Sequence, residues 1–560
     1  MVELMTKAGE TLTGTPWNCY PRPQMKRENW LNLNGAWDFA VNYENMGKIL
    51  VPFCPESKLS RIGTHYEEGS ALSYTRNFTL PEGFNRGRVI LHIGAADQRA
   101  DVFLNGKPVG YHQGGYEAFE LDITEHLQAE NRLQIICFDD LTDQSYPYGK
   151  QTMKRGGMWY TPVSGIWQTV WLESVPETYI RKLRIENRGY SVSIAVEPAL
   201  DGVVKVAELG EFPLVEGKVT ITPENPRLWS PEDPYLYDFS IEAGEDKIES
   251  YFAIRSLEIK KVGKYPRLCL NGKPYFFHGL LDQGYWPDGL FTPATPECYA
   301  EDILEMKRLG FNTLRKHIKV EPEEFYYQCD KLGMVVFQDM VNNGPYDYVR
   351  DTVLPTIFPA YQKRGDCNLH PDAHQRKRFL EGMEATVNQL KNHPGICYWT
   401  IFNEGWGQFD SDNVYEKFLK LDDTRFVDST SGWFRRRKSQ VDSRHVYFRK
   451  VKLSGDGKTP LVLSEFGGYS YKPEGHVFNT ESTYGYGKFK TREEFAQAVR
   501  NLYLNEVVPC VSRGLCAAIY TQVSDVEDET NGLRTYDRKV EKLTSEEMLP
   551  IAEELKKAME

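Results

Sequence analysis

Two acidic residues sit where carboxylates do chemistry. The stretch Gly395 to Gly407, GICYWTIFNEGWG, runs apolar through Ile396, Cys397, Tyr398, Trp399, Ile401 and Phe402, then breaks off at Asn403-Glu404. The run Leu461-Val462-Leu463-Ser464-Glu465, followed by Phe466-Gly467-Gly468, has the same form. A continuous apolar run suits a strand covered on both faces. An acid at the C-terminal end of such a strand is where parallel barrels carry reactive groups. The chemistry two such acids can share is cleavage of a glycosidic bond. One protonated acid serves the leaving oxygen and one carboxylate serves the anomeric carbon, about 5–5.5 Å apart when configuration is retained. The bland alternative is that each acid holds a basic neighbour at a loop start. That suits a lone strand-end Glu better than two in matching settings.

The elements that must position these acids follow from a change of period near residue 257. Thr295-Pro296-Glu297 predicts a helix start with Thr295 as cap; Ile303, Met306 and Leu309 line one face and Gly310 ends it. A helix over 323–331 precedes Leu332-Gly333, and a long helix over 373–391 is stopped by Pro394. Thr491-Arg-Glu-Glu494 is a capping box opening a helix that leads to Gly514. Strands are expected near 275–279, 311–315, 334–338, 396–402, 424–428, 445–448, 461–464 and 515–521. Helix and strand alternating over this length predict a (β/α)8 TIM barrel across 257–560. The aromatic, pattern-poor segment 341–372 should lie over its mouth as a lid or wall.

Ahead of the barrel the chain is β-rich. Over 1–178, short segments such as Arg88–Ile93, Ala100–Leu104 and Arg132–Phe138 alternate, with a turn near Thr124–Leu127. Asn105-Gly106 is a two-residue hairpin signal. This spacing predicts a jelly-roll β-sandwich. Residues 179–256, with strands near 182–185, 191–196, 218–221 and 237–241, predict a small immunoglobulin-like sandwich.

Composition excludes more than it assigns. The 560 residues hold 67 Lys and Arg against 79 Asp and Glu, a formal charge of −12, which speaks against a nucleic-acid partner. No 18-residue apolar run and no signal-peptide pattern occur, so neither a membrane partner nor secretion is expected and the location is read as cytoplasmic. The ten cysteines are scattered, without CxxC or a Cys/His cluster. Reduced core thiols are expected even for the nearest pair, Cys510 and Cys516, and no metal or cofactor is called for. The sequence leaves a homo-oligomer open.

WTIFNEGWG and PLVLSEFGG, in this order, resemble the acid/base and nucleophile strands of glycoside hydrolase family 2, which includes β-galactosidases, β-glucuronidases and β-mannosidases. MWYTPVSGIWQTVWLE, residues 158–173, is similar to the end of that family's sugar-binding jelly roll. The resemblance implies the same three domains, a carbohydrate substrate, and retaining hydrolysis without a metal-borne nucleophile. It makes Glu404 the acid/base, which must start protonated, and Glu465 the nucleophile. Asn403 would bond the sugar 2-hydroxyl, Tyr447 in HVYFR would steady the nucleophile, and Arg315 in LRKH would lie below it as a buried cation keeping it ionised. His317 and Asp339, ending the second and third strands, face the same mouth. Trp406, Asp282, Trp286, Trp433, Tyr520, Gln522 and Asp525 are further pocket candidates.

Departures bear on the sugar. His317 stands in Lys-His-Ile rather than a Ser-His-Tyr-Pro-like pattern, and Asp339 replaces a glutamate-rich strand end. β-Glucuronidases carry an Asn-x-Lys pair for the substrate carboxylate; here the stretch reads Glu529-Thr530-Asn531. A glucuronide is therefore expected to meet repulsion, and glucuronidase activity is disfavoured. Arg155-Gly156-Gly157 lacks the aspartate that similar β-galactosidases place there. The expected activity is a retaining exo-β-glycosidase, nominally β-galactosidase-like. Another neutral-sugar glycosidase (mannosidase, glucosidase or arabinosidase) is the alternative, and a non-catalytic carbohydrate-binding protein is the rival class.

Overall fold

Eight parallel strands form the frame of the C-terminal half: β1 Phe277–Asp282, β2 Thr313–Lys316, β3 Val335–Asp339, β4 Ile396–Asn403, β5 Phe426–Ser431, β6 Asp442–Val446, β7 Leu461–Gly467 and β8 Leu515–Thr521. The computed structural model that shows them describes residues 3–358, 365–367, 369–435 and 438–559. The strand order is β5-β4-β3-β2-β1-β8-β7-β6, every ladder parallel, so the barrel is complete but for one seam. Between β5 and β6 hydroxyls stand in for the ladder. Ser443 Oγ lies 2.6 Å from Ser464 Oγ, which is 3.0 Å from Ser431 Oγ. Every residue of β4, β7 and β8 is buried, as their apolar runs require.

The helices start and stop for local reasons, with two corrections to the expectation. Thr295 does not cap its helix. Glu297–Arg308 begins one residue later, after Pro296, without a side-chain cap. The helix from Thr491, whose hydroxyl accepts from the Glu494 N–H at 3.2 Å, does not run unbroken to Gly514. After Arg492–Leu502 it widens over Tyr503–Val507 and resumes as Val508–Val511, because Pro509 has no N–H to continue the ladder. Asp372 caps Ala373–Leu390 by accepting from Gln375 N at 2.8 Å.

Residues 30–175 form a four-stranded and a six-stranded antiparallel sheet around Trp37, Tyr74, Leu91 and Ile135. The Asn105-Gly106 hairpin is made as its dipeptide demands, with φ of 53° and 80°. Residues 182–252 form a three-stranded and a four-stranded sheet with their own core. Arg27 ties the two sandwiches, its guanidinium 3.2 Å from Glu173 and 2.9 Å from Asp246. All ten cysteines are free thiols, and no helix among the described residues is long and apolar enough to cross a membrane.

Of the expected lid, residues 359–364 and 368 lie outside the described residues. The part before them is more regular than expected. A wide helical turn over Val349–Val353 leads into Leu354–Ile357, and the segment is tied to the barrel by Asn342 Nδ2, which donates to Trp406 O at 2.6 Å.

Candidate active site

The C-terminal ends of β2, β3, β4, β6 and β7 converge on one arginine. Arg315, buried on β2, donates through Nη1 to Glu465 Oε1 at 2.9 Å and to Ser464 O at 3.0 Å. Its Nη2 donates to Asn403 Oδ1 at 2.9 Å and its Nε to Asp339 Oδ1 at 3.0 Å. Asp339 in turn takes His317 Nδ1 on its other oxygen at 2.7 Å. Both oxygens of Asp339 are thus engaged by protein, so it braces Arg315 and His317. With Oδ1 of Asn403 on Arg315, the Nδ2 end is the donor presented to the site.

Glu465 receives a second contact from Tyr447, whose hydroxyl donates to Oε2 at 2.6 Å and lies 2.8 Å from Thr521 Oγ1. Tyr447 is held by a face-to-face stack on Tyr486, ring centroids 4.0 Å apart. Burial works to raise the Glu465 pKa. The surrounding His445, Arg315, His317 and Tyr447 outweigh it and hold it down to about 2. Asp339 is lowered likewise, against its own burial, chiefly by Arg315. Burial pushes His317 downward, toward the neutral imidazole.

Glu404 begins the loop after β4 in the left-handed region, φ 53°, its N–H donating to Ser431 O at 2.9 Å. The next residue must be glycine, because a Cβ on Gly405 would stand 2.4 Å from the Phe434 ring. This sharp turn delivers the Glu404 carboxyl to His445, whose Nδ1 is 2.7 Å from Oε1. His445 is the residue missed in the sequence. Its Nε2 lies 2.9 Å from Ser431 Oγ, 3.4 Å from Arg315 Nη1 and 3.5 Å from Glu465 Oε1, so the ring stands between the two acids. The signal was present: in a strand, residues two apart share a face, so His445 accompanies Tyr447 inward.

Donor atoms of Glu404, His445 and Glu465 lie within 4.8 Å of one another, the one such set found among the described residues. The Arg315 guanidinium already presents positive charge to Glu465 there, and a dication would face it. The same spacing brings a carboxylate oxygen of each acid within 4.8 Å of the other.

Other candidates fall elsewhere. Trp406 is buried, its Nε1 donating to Gly344 O at 2.8 Å and its ring packed edge-on against Trp159 at 5.2 Å, so it builds the wall of the mouth. Trp433 donates to Asp351 O at 2.8 Å and faces His445 edge-on at 5.6 Å. Asp282 pairs with Lys316 at 2.6 Å and Asp525 with Lys542 at 2.6 Å, which accounts for both as support. Trp286 lies under the Arg538 guanidinium, 4.0 Å away, and Tyr520 is core. Gln522 donates to Glu529 Oε2 at 2.7 Å and to Asn531 Oδ1 at 2.9 Å.

The stretch read as repelling a glucuronide needs correction. Glu529 is buried, accepts from Tyr160 OH at 2.7 Å as well as from Gln522, and is pushed by burial up to about 7. A carboxyl near half-protonation at neutral pH does not present the full charge on which that exclusion rested.

The fold and this pair of strand-end acids define a family 2 glycosyl hydrolase. Family models match residues 61–176 (sugar-binding domain), 177–255 (the family 2 domain that follows it) and 261–457 (TIM barrel domain); the chain belongs to this family. A β-galactosidase of Thermoanaerobacter pseudethanolicus is 24% identical over 68% of this chain and 52% of its own length. A β-glucuronidase of Felis catus is 26% identical over 69% of this chain and 65% of its own. The chain thus spans about half to two thirds of these relatives. Among solved structures, a β-D-glucuronidase of Dictyoglomus thermophilum superposes with a TM-score of 0.73 at 19% identity, covering 96% of this chain and 98% of that one. A β-galacturonidase from Eisenbergiella tayi bound to galacturonate gives 0.68 at 19%, covering 96% and 99%. Glucuronidases among the relatives also speak against the exclusion of that sugar.

Proposed function

We propose that this protein is a retaining exo-β-glycosidase that works by double displacement. The observation that carries the proposal is the contrast between two acids a few ångströms apart. Glu465 is held ionised by Arg315 and Tyr447, and Glu404 is turned toward it on His445. His445 Nδ1, 2.7 Å from Glu404 Oε1, engages that oxygen of the carboxyl. Oε2 of Glu404 is then the oxygen left to carry the proton to the leaving group.

In the first step Glu465 attacks the anomeric carbon while Glu404 protonates the glycosidic oxygen. The Glu465–sugar ester forms and the alcohol departs. Once esterified, Glu465 carries no charge, and Glu404, now ionised, takes a proton from water as it attacks the ester. Asn403 Nδ2 donates to the sugar 2-hydroxyl, a bond that strengthens as positive charge develops at the anomeric carbon. The sugar is a hexoside or hexuronide: similar proteins bear the names of β-galactosidases, β-glucuronidases and a β-galacturonidase.

Glu465→Ala should lower kcat/KM on every cleavable nitrophenyl glycoside by at least about 10⁴-fold. In the wild type, NMR of the first-formed product should show the β-anomer from a β-glycoside. Undiminished turnover in the variant, or the α-anomer first, would end this reading. Glu404→Ala should cost a poorly activated leaving group far more than a nitrophenolate, and equal losses would remove Glu404 from the acid role.

A further inference from the structure

The sandwich domain sends residues 142–163 across the barrel mouth. The N–H groups of Tyr148 and Gly149 both donate to Asn342 O, at 3.1 and 3.2 Å, and the Tyr148 hydroxyl donates to Gly344 O at 2.8 Å. Gly149 lies so near the end of β2 that a Cβ on it would stand 2.8 Å from Ile318 O. The backbone of Lys150 is therefore fixed over the ends of β2 and β3, where His317 and Asp339 stand, and its own carbonyl accepts from Tyr160 N at 3.0 Å.

From that anchor the half-buried side chain carries its ammonium to 5.5 Å from the Trp159 ring centroid. Trp159 packs on Trp406, two residues past Glu404. The charge of Lys150 is felt at His317 on one side and at Glu529 on the other. The buried cations at the ends of the barrel strands are engaged. Arg315 holds Asp339 and Glu465, Lys316 holds Asp282 and Glu321, Lys319 holds Glu321, and Lys542 holds Asp525. Lys150, at the mouth above them, has no ion-pair partner among the described residues. A half-buried ammonium beside aromatic rings is stabilised when an anion meets it.

We propose that Lys150 is the specificity-determining cation of the sugar site and that the sugar it reads is a hexuronide, whose carboxylate pairs with the Lys150 ammonium. This rests on the reading of the site as that of a retaining glycosidase. It assigns to a loop of the sandwich domain the recognition that the 529–531 stretch, with Glu529 and Asn531, has no cation to perform. Trp159 shields the pair from water and strengthens it. Glu529, on the far side, is held by Tyr160 and Gln522 and can donate to the same carboxylate when protonated.

The test is a set of nitrophenyl glycosides matched in configuration: β-glucuronide against β-glucoside, β-galacturonide against β-galactoside, and a 6-O-sulfated β-galactoside. Wild type should prefer one uronide to its neutral partner. Lys150→Met should reduce that ratio of kcat/KM by about 100-fold, and Lys150→Arg should restore most of it. The uronide kcat/KM should fall with added salt in the wild type and lose that dependence in Lys150→Met. Preference for a neutral or sulfated glycoside, or an equal loss on both members of a pair in Lys150→Met, would overturn the proposal. Glu465→Ala separates the two readings. If the wild type hydrolyses only neutral glycosides and the variant none, the glycosidase stands and the uronide falls. If the variant still hydrolyses, the glycosidase reading itself falls.

Discussion

Arg315 sets the charge state of the site, because one guanidinium meets Glu465, Asp339 and Asn403 together. Removing one partner of a buried pair costs about 3–5 kcal/mol, so Arg315→Met should reduce kcat/KM by roughly 10²–10³-fold at neutral pH. The pH dependence is sharper evidence. In the proposed mechanism Glu465 acts as the anion, and its pKa is held down to about 2, so the limb of kcat/KM that it would control lies below any pH at which activity is ordinarily measured. Without Arg315 that limb should move up into the range of ordinary carboxylates; an unmoved limb would show that Arg315 does not act through Glu465. Tyr447→Phe removes a charge-assisted bond worth about 1.5–3 kcal/mol and should lower kcat about 10- to 100-fold, visible in single-turnover kinetics. Glu404 and Glu465 were legible in the sequence because an acid that ends an apolar run is conspicuous. His445 was not, since nothing apolar leads up to it and its partners lie on other strands.

Among the elements, the seam between β5 and β6 is where the barrel depends on side chains. Ser431, Ser443 and Ser464 hold hydroxyls together there, and Ser431 also holds His445. Ser443→Val removes one hydroxyl from this buried set, with its bonds to Ser464 and Asp428, at a cost of about 1–3 kcal/mol. The expected result is a melting temperature lower by several degrees together with reduced kcat, as His445 loses its fixed setting. A stability loss with kcat unchanged would separate the seam from the catalytic machinery. The same polar strands explain where the sequence reading was least accurate. β4, β7 and β8 announce themselves as apolar runs, but β5 is FVDSTS and β6 is DSRHV, and Ser431, Ser443 and His445 of these strands bond one another inside the barrel. A reading keyed to apolar residues expected strands at 424–428 and 445–448; the structure puts β5 at Phe426–Ser431 and β6 at Asp442–Val446.

Across the whole molecule, the order of sandwich, sandwich and barrel could be read from changes in period. The reach of the first domain into the third could not, since Tyr160 meets Glu529 369 positions away. Buried acids are spread across the same expanse. Burial pushes Asp97 and Glu117 up to about 7 and Asp139 well above its ordinary value, with Glu56 and Glu68 near enough to add to Asp97 and Asp139. Asp428 and Asp525 in the barrel are pushed up to about 6. Groups with raised folded pKa values favour the folded state fully below about pH 4 and lose that contribution as pH rises toward 7. Glu465, Asp339 and Asp422 are lowered and act in the opposite sense, their contribution lost as pH falls from about 4 toward 2. The melting temperature should therefore peak near about pH 4 and decline from there toward about pH 7. Asp97→Asn keeps a carbonyl oxygen for the bond that Gln151 Nε2 donates at 3.1 Å and removes the group that must ionise. It should flatten the decline between about pH 4 and 7 while changing the melting temperature little at about pH 4. A variant that declines as steeply as the wild type would place the loss of stability toward neutral pH in the barrel carboxyls, where Asp428→Asn offers the matching measurement.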